Sequence, residues 1–302
     1  MKKTLMSLAL TALALGASAQ VVQVGSVEQI AIPGDLSVNI PRVSPDGTFA
    51  IVSTNNDNAL YRVNLAGGTP DLVATGASAL ELKYSPDSKA VVFKSSTTDR
   101  NNLRYYHVQS VDLENGISRA LTSKKRHCAS YSVSPDGQLS LADGGKFSAR
   151  SFSGAKAKAS RPVVSINRGH LEITTADGKT RNLDPQGRGS YLWPSISPDG
   201  TKIVYYLSNY GCYVCDIDGS NVRSLGYVHA PQWLGNDAVV GCQDYDNGVY
   251  VTSSSIVAAD LNGNIQTLTD SALLGMNPSA SADAKTITFA TADGKLYRIN
   301  LK

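Results

Sequence analysis

A four-residue turn motif, Ser-Pro-Asp-Gly, recurs along the chain and constrains its fold more than any other feature. Full copies begin at Ser44, Ser134 and Ser197, and weaker versions begin at Ser85 and Ser281. Repeats with a period of about 20 to 50 residues are typical of units that bury their apolar faces only by stacking on neighbours. The chain is therefore predicted to be a repeat protein.

The spacing of the copies predicts the number of units. Successive Ser positions are 41, 49, 63 and 84 residues apart. The last distance corresponds to two units, so a degenerate copy that lacks the Pro is expected at residues 234–237. The 63-residue distance is about one and a half units. Residues 144–162 are therefore expected to hold either an insertion or part of a reduced extra unit.

Each unit has the pattern of four short antiparallel strands. In the first unit, apolar runs at residues 49–53, 60–65 and 71–73 are separated by turns rich in Gly, Asn and Asp, and a further short run precedes the Ser. Four such strands form one blade of a β-propeller. We favour six four-stranded blades with an irregular third, on the reasoning that an inner strand lining the channel is hard to lose. Seven blades is the alternative.

These repeats resemble the blades of the TolB-like β-propeller family. The resemblance rests on the Ser-Pro-Asp-Gly copies, on Tyr61 and Tyr213 at equivalent strand positions, and on the Asp-Ile-Asp-Gly turn at residues 216–219. It covers nearly all of the chain after residue 19 and implies an all-β propeller. It is a poor guide to function, because the same blade occurs in proteins of many functions.

The two ends of the chain are predicted to close the ring together. The last unit ends at Lys302, one strand short of a full blade. Residues 22–32 alternate between apolar and polar side chains as a strand does. We expect this N-terminal strand to be the outer strand of the last blade.

The first residues have the features of a secretory signal peptide. Lys2 and Lys3 precede an apolar run at residues 5–15, and Ala17-Ser18-Ala19 offers the small residues of a cleavage site. We expect residues 1–19 to be removed and residues 20–302 to form a single propeller domain, exported to the periplasm or secreted. No later apolar stretch reaches the roughly 18 residues of a transmembrane segment.

Charge and motifs argue against several classes of function. The net charge is +3, and it is close to +1 without Lys2 and Lys3. Without a sustained basic face, a nucleic-acid partner is not expected. The sequence contains neither a Gly-x-Ser-x-Gly motif nor a His-Glu-x-x-His motif. We therefore assign no catalytic residue, metal site or cofactor, and expect a monomer.

Long loops at the end of the propeller opposite the Ser-Pro-Asp-Gly turns are where a partner is expected to bind. The candidate binding residues in these loops are Asn55, Asp57, Arg100, Arg126, His127, Trp193, His229, Asp244, Tyr245 and Asp246. The first hypothesis is a noncatalytic exported propeller that binds an envelope or extracellular protein, peptide or glycan through this loop face. The alternative is a lyase or hydrolase that acts on a glycan or cell-wall polymer at the same face.

Four cysteines allow one candidate disulfide. Cys212 and Cys215 are three residues apart on a predicted strand, so their side chains point to opposite faces and should not pair. Cys212 and Cys242 are expected near one propeller face in adjacent blades, which makes them the best pair. Free buried thiols are nevertheless the favoured interpretation, since small apolar positions in packed blades suit Cys.

Overall fold

Seven antiparallel sheets account for nearly all of the regular structure. The structure, a computed structural model, describes residues 20–34, 36–54, 58–158 and 161–302. In these ranges there are 26 strands, and one 3₁₀ turn, Ser271–Leu273, precedes the last sheet. No helix of the described ranges has the length and apolarity to cross a membrane. The predicted signal peptide lies outside these ranges.

The sheets follow one another along the chain and are numbered here as blades 1 to 7. Strand β1 (Val24–Ile30) belongs to the last blade. Blade 1 contains β2 (Val38–Val43), β3 (Phe49–Thr54), β4 (Ala59–Asn64) and β5 (Asp71–Thr75). Blade 2 contains β6 (Lys83–Tyr84), β7 (Ala90–Thr98), β8 (Arg104–Asp112) and β9 (Ser118–Ala120). Blade 3 contains β10 (Ser130–Val133), β11 (Leu139–Asp143) and β12 (Lys146–Arg150).

The remaining blades continue the same order. Blade 4 contains β13 (Val163–Asn167), β14 (His170–Thr174) and β15 (Thr180–Asn182). Blade 5 contains β16 (Tyr191–Ile196), β17 (Lys202–Leu207), β18 (Gly211–Asp216) and β19 (Arg223–Gly226). Blade 6 contains β20 (His229–Leu234), β21 (Ala238–Asp246), β22 (Val251–Asp260) and β23 (Ile265–Thr267). Blade 7 contains β24 (Gly275–Ala280), β25 (Thr286–Thr291), β26 (Leu296–Leu301) and β1.

The prediction of an all-β propeller is confirmed, but the preference for six blades is wrong and the alternative of seven is correct. The extra blade is blade 4, which has no Ser-Pro-Asp-Gly turn. Its first two strands are joined instead through Arg168 and Gly169, with φ angles of 51° and 82°. Positive φ at both central residues is the geometry of a type I′ hairpin turn. Because blade 4 has a different turn, counting the Ser-Pro-Asp-Gly motifs does not detect it.

The strands missing from the two short blades are outer ones. The inner strand β13 of blade 4 is present, whereas the described residues after β15 add no fourth strand to its sheet. In blade 3 the fourth strand is reduced to one bridge between Arg150 and Lys156. Five blades have the predicted four strands, and blades 3 and 4 depart from that pattern with three each. An outer strand can be lost without opening the channel, because the channel is lined by the inner strands.

The Ser-Pro-Asp-Gly motifs are turns that connect the first and second strands of a blade. In the first copy the Ser44 hydroxyl donates to the Asp46 carboxylate over 2.5 Å and accepts the Phe49 amide N–H over 3.2 Å. Gly47 closes the turn with a φ of 69°. The same Ser-to-Asp hydrogen bond forms in the four other copies. The repeated aspartates therefore stabilise the turns.

Apolar side chains from both faces of the middle strands pack between neighbouring blades. On β3, Phe49 and Ile51 pack against blade 2, whereas Ala50 and Val52 pack against blade 7. This explains why such strands appear in the sequence as continuous apolar runs. Six of the seven interfaces contain a cluster of buried apolar residues. Among the described residues, no such cluster spans blades 3 and 4.

The ring is closed by the pairing of β1 with β26, as predicted. Val27 lies opposite Ile299, and Ile30 lies opposite Leu296. Ile30 is buried against the core between blades 1 and 7. Further along, the N–H groups of residues 21 and 22 donate to the side-chain oxygen of Gln266 in blade 6. The N-terminal segment therefore joins the last two blades.

The candidate disulfide is not formed, and all four cysteines are free thiols. Cys212 packs with Val239 and Val257 between blades 5 and 6, whereas Cys242 packs with Ile256 and others between blades 6 and 7. The sheet of blade 6 thus separates the two thiols. Both residues were expected near one end of the propeller, but their side chains point into different interfaces between blades. Cys212 and Cys215 do lie on opposite faces, as predicted.

Deleting residues 21–32 should destabilise the ring. The deletion leaves the backbone groups of β26 unpaired and exposes an edge strand that favours aggregation. We expect a lower melting temperature in differential scanning calorimetry and aggregates in light scattering. Val27→Lys, at a position that is 38% exposed in the same strand, should melt close to the wild type. A truncated protein with unchanged melting would contradict the closure.

Thiol titration should find four free cysteines. Burial raises the pKa of Cys212 and of Cys242 to about 12, so neither should react with Ellman's reagent in the native protein. After denaturation without reductant, we expect four equivalents of thiol per chain. The matched control is the same protein reduced before denaturation, which should give the same number. Two equivalents without reductant and four with it would show that two of the cysteines form a disulfide.

Candidate functional site

Four aromatic side chains meet where blades 5 and 6 adjoin at the loop face. The ring centroids of Trp193 and His229 are 4.6 Å apart, and those of Tyr206 and His229 are 5.3 Å apart. The ring of Tyr227 is stacked parallel to His229 at 6.3 Å. These contacts bring together Trp193 and His229, which the sequence had placed in the candidate site. Tyr206 and Tyr227 were missed.

Bulges in two inner strands lie beside Trp193 and His229. The pairing of β16 with β17 shifts register after Leu192, and Trp193 has a φ of 48°. Ala230 in β20 and Asn277 in β24 have similar positive φ values beside equivalent shifts. A bulge redirects the side chain next to it, and backbone strain of this kind is concentrated at functional sites. Nothing in the residue types of these strands predicted the bulges.

His229 also contacts an acidic group and lies close to a thiol. Its Nδ1 atom is 3.2 Å from the Oδ1 atom of Asp244, and the Cys242 Sγ atom is 4.0 Å from the same oxygen. The ligand atoms of the three residues all lie within 4.8 Å of one another. Such a nitrogen, sulfur and oxygen set could hold a borderline cation such as Zn²⁺. Burial, together with Asp244, raises the pKa of Cys242 to about 12, so a metal ion would have to displace the thiol proton.

The Asp244 carboxylate is held ionised. Burial opposes its ionisation, but the hydrogen bond and charge of His229 outweigh that effect and hold the pKa of Asp244 below its usual value. The Tyr227 hydroxyl donates to the same carboxylate over 3.2 Å. Burial and the nearby negative charge of Asp244 raise the pKa of Tyr227. The Tyr227 hydroxyl is therefore a neutral hydrogen-bond donor at neutral pH.

The loop between β21 and β22 extends this cluster into solvent. The Tyr245 ring stacks near Tyr227 with centroids 6.4 Å apart, and it is 64% exposed. The Asp246 carboxylate accepts a hydrogen bond from the Gly248 N–H over 2.7 Å and so stabilises the loop. We call Tyr227, Tyr245, Val249 and Tyr250 the tyrosine patch, and the last two are 86% and 66% exposed.

The other candidate binding residues lie away from this patch. Arg100 is exposed in the turn between β7 and β8 of blade 2. Arg126 and His127 precede blade 3, where the Arg126 guanidinium lies 5.8 Å from the Tyr105 ring centroid. The structure shows no contact between these residues and the tyrosine patch. Asn55 and Asp57 lie outside the described residues.

A second candidate site, which the sequence did not predict, occupies the central channel. A cavity of about 470 Å³ is lined by residues from the inner strands of all seven blades. Pro45 and Ala282 also line it, so it extends to the end of the channel that carries the Ser-Pro-Asp-Gly turns. The sequence predicts a binding surface only at the opposite end of the propeller.

The cavity wall is strongly basic. Its charged residues are Arg42, Lys83, Lys94, Arg161 and Glu81. Glu81 and Lys94 neutralise each other through an ion pair of 2.6 Å. The other three cations form no ion pair with any described residue.

Both guanidinium groups are fixed by backbone carbonyl groups. Arg42, which is 7% exposed, donates to the carbonyl oxygens of Pro41 and Leu80 over 3.0 Å each. Arg161, which is 9% exposed, donates to the Pro198 carbonyl over 3.0 Å and also to the Ser197 carbonyl. Burial lowers the pKa of Arg42 to about 10, far enough above neutral pH for the group to stay charged.

A regular spacing in the sequence could have identified these channel residues. Arg42 and Lys83 each stand two positions before the first Ser of a turn motif, and Ser132, Ser195 and Ser279 occupy the same place in other blades. All five line the cavity. Alternation along the inner strand directs this position to the channel. Arg161 precedes the blade that lacks the motif, so the rule could not have identified it.

Comparison with known proteins supports the fold. No family profile matches the chain. An uncharacterized protein of Agrobacterium fabrum, Atu1656, is 21% identical over 214 residues, and the match covers 63% of this chain and 64% of that protein's length.

Among solved structures, a TolB-type protein of Agrobacterium tumefaciens has a TM-score of 0.54 and 20% identity, covering 88% of this chain and 91% of that chain. TolB of Acinetobacter baumannii has a TM-score of 0.52 and 17% identity, covering 81% of this chain and 57% of that chain. A chain of a mitotic checkpoint complex has a TM-score of 0.58 and 13% identity, covering 99% of each chain. The TM-scores support a shared fold, whereas sequence identities this low leave the function open. The chain is a seven-bladed β-propeller whose fold is similar to that of the TolB structures.

Proposed function

We propose that this protein is a noncatalytic exported propeller that binds a polypeptide partner through the tyrosine patch of its loop face. This proposal is supported by the exposure of Tyr245, Val249 and Tyr250, whose side chains are 64%, 86% and 66% exposed. Large apolar side chains clustered on a surface mark interaction sites. Tyrosine is also enriched among the residues that contribute most to protein interfaces.

Hydrogen bonds within the loop support the backbone of the patch. The Asn247 side-chain oxygen accepts the N–H groups of Val249 and Tyr250 over 3.0 and 3.1 Å. The Thr252 hydroxyl donates to the Tyr245 carbonyl over 3.1 Å. A loop already held in one conformation loses little entropy on binding. The backbone that carries Tyr245 and Tyr250 is therefore held by the loop's own hydrogen bonds, which reduces the entropy cost of binding a polypeptide.

Export is proposed from the first residues of the chain. The signal peptide at residues 1–19 would carry the propeller across the inner membrane, after which residues 20–302 would act as a monomeric single domain in the periplasm or outside the cell. A partner of the envelope or extracellular space agrees with this location.

Photo-crosslinking from the patch tests the proposed partner. A crosslinking amino acid at position 250 should capture a discrete polypeptide from an envelope fraction, and the same group at Leu72, which is 58% exposed on β5, should not. Tyr245→Ala should weaken binding of the purified partner by roughly tenfold or more, the loss that marks an energetically important interface residue. Binding is measured by calorimetry.

The matched control for Tyr245→Ala is Leu72→Ala, which should bind the purified partner like the wild type. Equal binding by the wild type and Tyr245→Ala would contradict the proposed surface. Retention of glycans without any crosslinked polypeptide would contradict the class of partner.

A glycan- or cell-wall-directed lyase or hydrolase is the second candidate, favoured by the contact between His229 and Asp244. A histidine oriented by a carboxylate can act as a general base. Screening against oligosaccharides and esters should then reveal turnover that His229→Ala and Asp244→Ala abolish and Tyr250→Ala retains. Absence of turnover, or turnover unaffected by His229→Ala, would reject this candidate.

A further inference from the structure

We propose that the central channel binds a small anionic ligand carrying two or more carboxylate or phosphate groups, held by Arg42, Lys83 and Arg161. This site is separate from the tyrosine patch and does not depend on the partner proposed there. The three cations come from blades 1 and 2 and from the segment that leads into blade 4, and they line one cavity.

The volume of the cavity suits a small molecule. Pockets for such ligands range from about 300 to 1,000 Å³, and the channel offers about 470 Å³. Leu80 and Ile166 in its wall are 45% and 40% exposed, so solvent reaches the lining. A ligand with several anionic groups could contact cations from different blades at once.

The arrangement of charge favours an anion over a neutral ligand. The guanidinium groups of Arg42 and Arg161 are positioned by carbonyl oxygens, which satisfy some of their N–H groups without neutralising their charge. The Lys83 ammonium has no hydrogen-bond acceptor among the described residues, so all its donors are available. Planar guanidinium groups with free N–H groups match the oxygen atoms of carboxylates and phosphates.

Lys83 gives the proposed site a pH dependence. Burial, together with repulsion by Arg42 and Arg161, lowers the pKa of Lys83 to about 8, although Glu81 opposes the shift. A bound anion favours the charged form and so raises the pKa of Lys83 in the complex. Binding is therefore at full strength below about pH 8 and weakens as the pH rises through the pKa of the free protein toward that of the complex.

Calorimetric titration with citrate and with pyrophosphate tests the site. We expect the wild type to bind one of these probes at pH 7 and low salt, and to bind it less tightly at pH 9. Lys83→Met should reduce affinity by roughly ten- to a hundredfold, the range expected for hydrogen bonds to a charged group. The variant should also lose the decrease in affinity between pH 7 and pH 9.

Two controls separate local from general effects. Lys179→Met removes a lysine whose side chain is 86% exposed in the turn between β14 and β15, and it should bind like the wild type. Arg161→Gln should weaken binding, and its melting temperature without ligand shows whether it folds. Binding of citrate alone identifies carboxylates, and binding of pyrophosphate alone identifies phosphates. No binding of either probe, or equal affinity of Lys83→Met and the wild type, would overturn the proposal.

Discussion

The pairing of β1 with β26 is the interaction on which the rest of the structure depends. A propeller is a ring of sheets, and each blade is stabilised by apolar packing against two neighbours. Without β1, blade 7 would have three strands and an exposed edge. Two neighbouring blades already have only three strands, and no apolar cluster among the described residues spans the interface between them. Closure at the termini is therefore needed to keep that interface together.

Hydrogen bonds between inner strands link ring closure to the geometry of the channel. Tyr84 bridges blades 1 and 2 by donating to the Arg42 carbonyl and accepting the Ile51 N–H. The Tyr131 hydroxyl donates to the Glu81 carbonyl, and the Ser132 hydroxyl donates to the Pro162 carbonyl. Each bond joins parts of two blades, as do the bonds from Arg42 to the Leu80 carbonyl and from Arg161 to the Pro198 carbonyl. If the ring opened, the cations would lose the positions that make the channel a candidate anion site.

The sequence predicted the fold well where the turn chemistry is repeated. A Ser hydroxyl, an Asp carboxylate and a residue with positive φ form the same turn in five blades. The motif therefore indicates which two strands are joined and at which end of the propeller the turn lies. Blade 4 uses Arg168 and Gly169 for the same connection, and that pair carries no trace of the motif. The blade count failed there because different turns can join the same strands.

The candidate sites were predicted only in part, since they depend on where side chains point. Topology correctly placed Trp193, His229, Asp244 and Tyr245 at one end of two adjacent blades. It could not predict the bulges that turn Trp193 toward His229. In the channel, Arg42, Lys83 and Arg161 are far apart in sequence, and isolated basic residues are usually on the surface. Arg42 and Lys83 share a position on inner strands, whereas Arg161 precedes an inner strand, so only the folded ring brings the three residues together.

Hydrogen exchange of the backbone amides in β1 tests the closed ring most directly. Amides of the segment Val24–Ile30 that bond to β26 should exchange as slowly as those of β25 in the middle of the same blade, because they open only when the ring opens. Rapid exchange in β1 beside slow exchange in β25 would contradict the account, since the last blade would then be stable without the N-terminal strand.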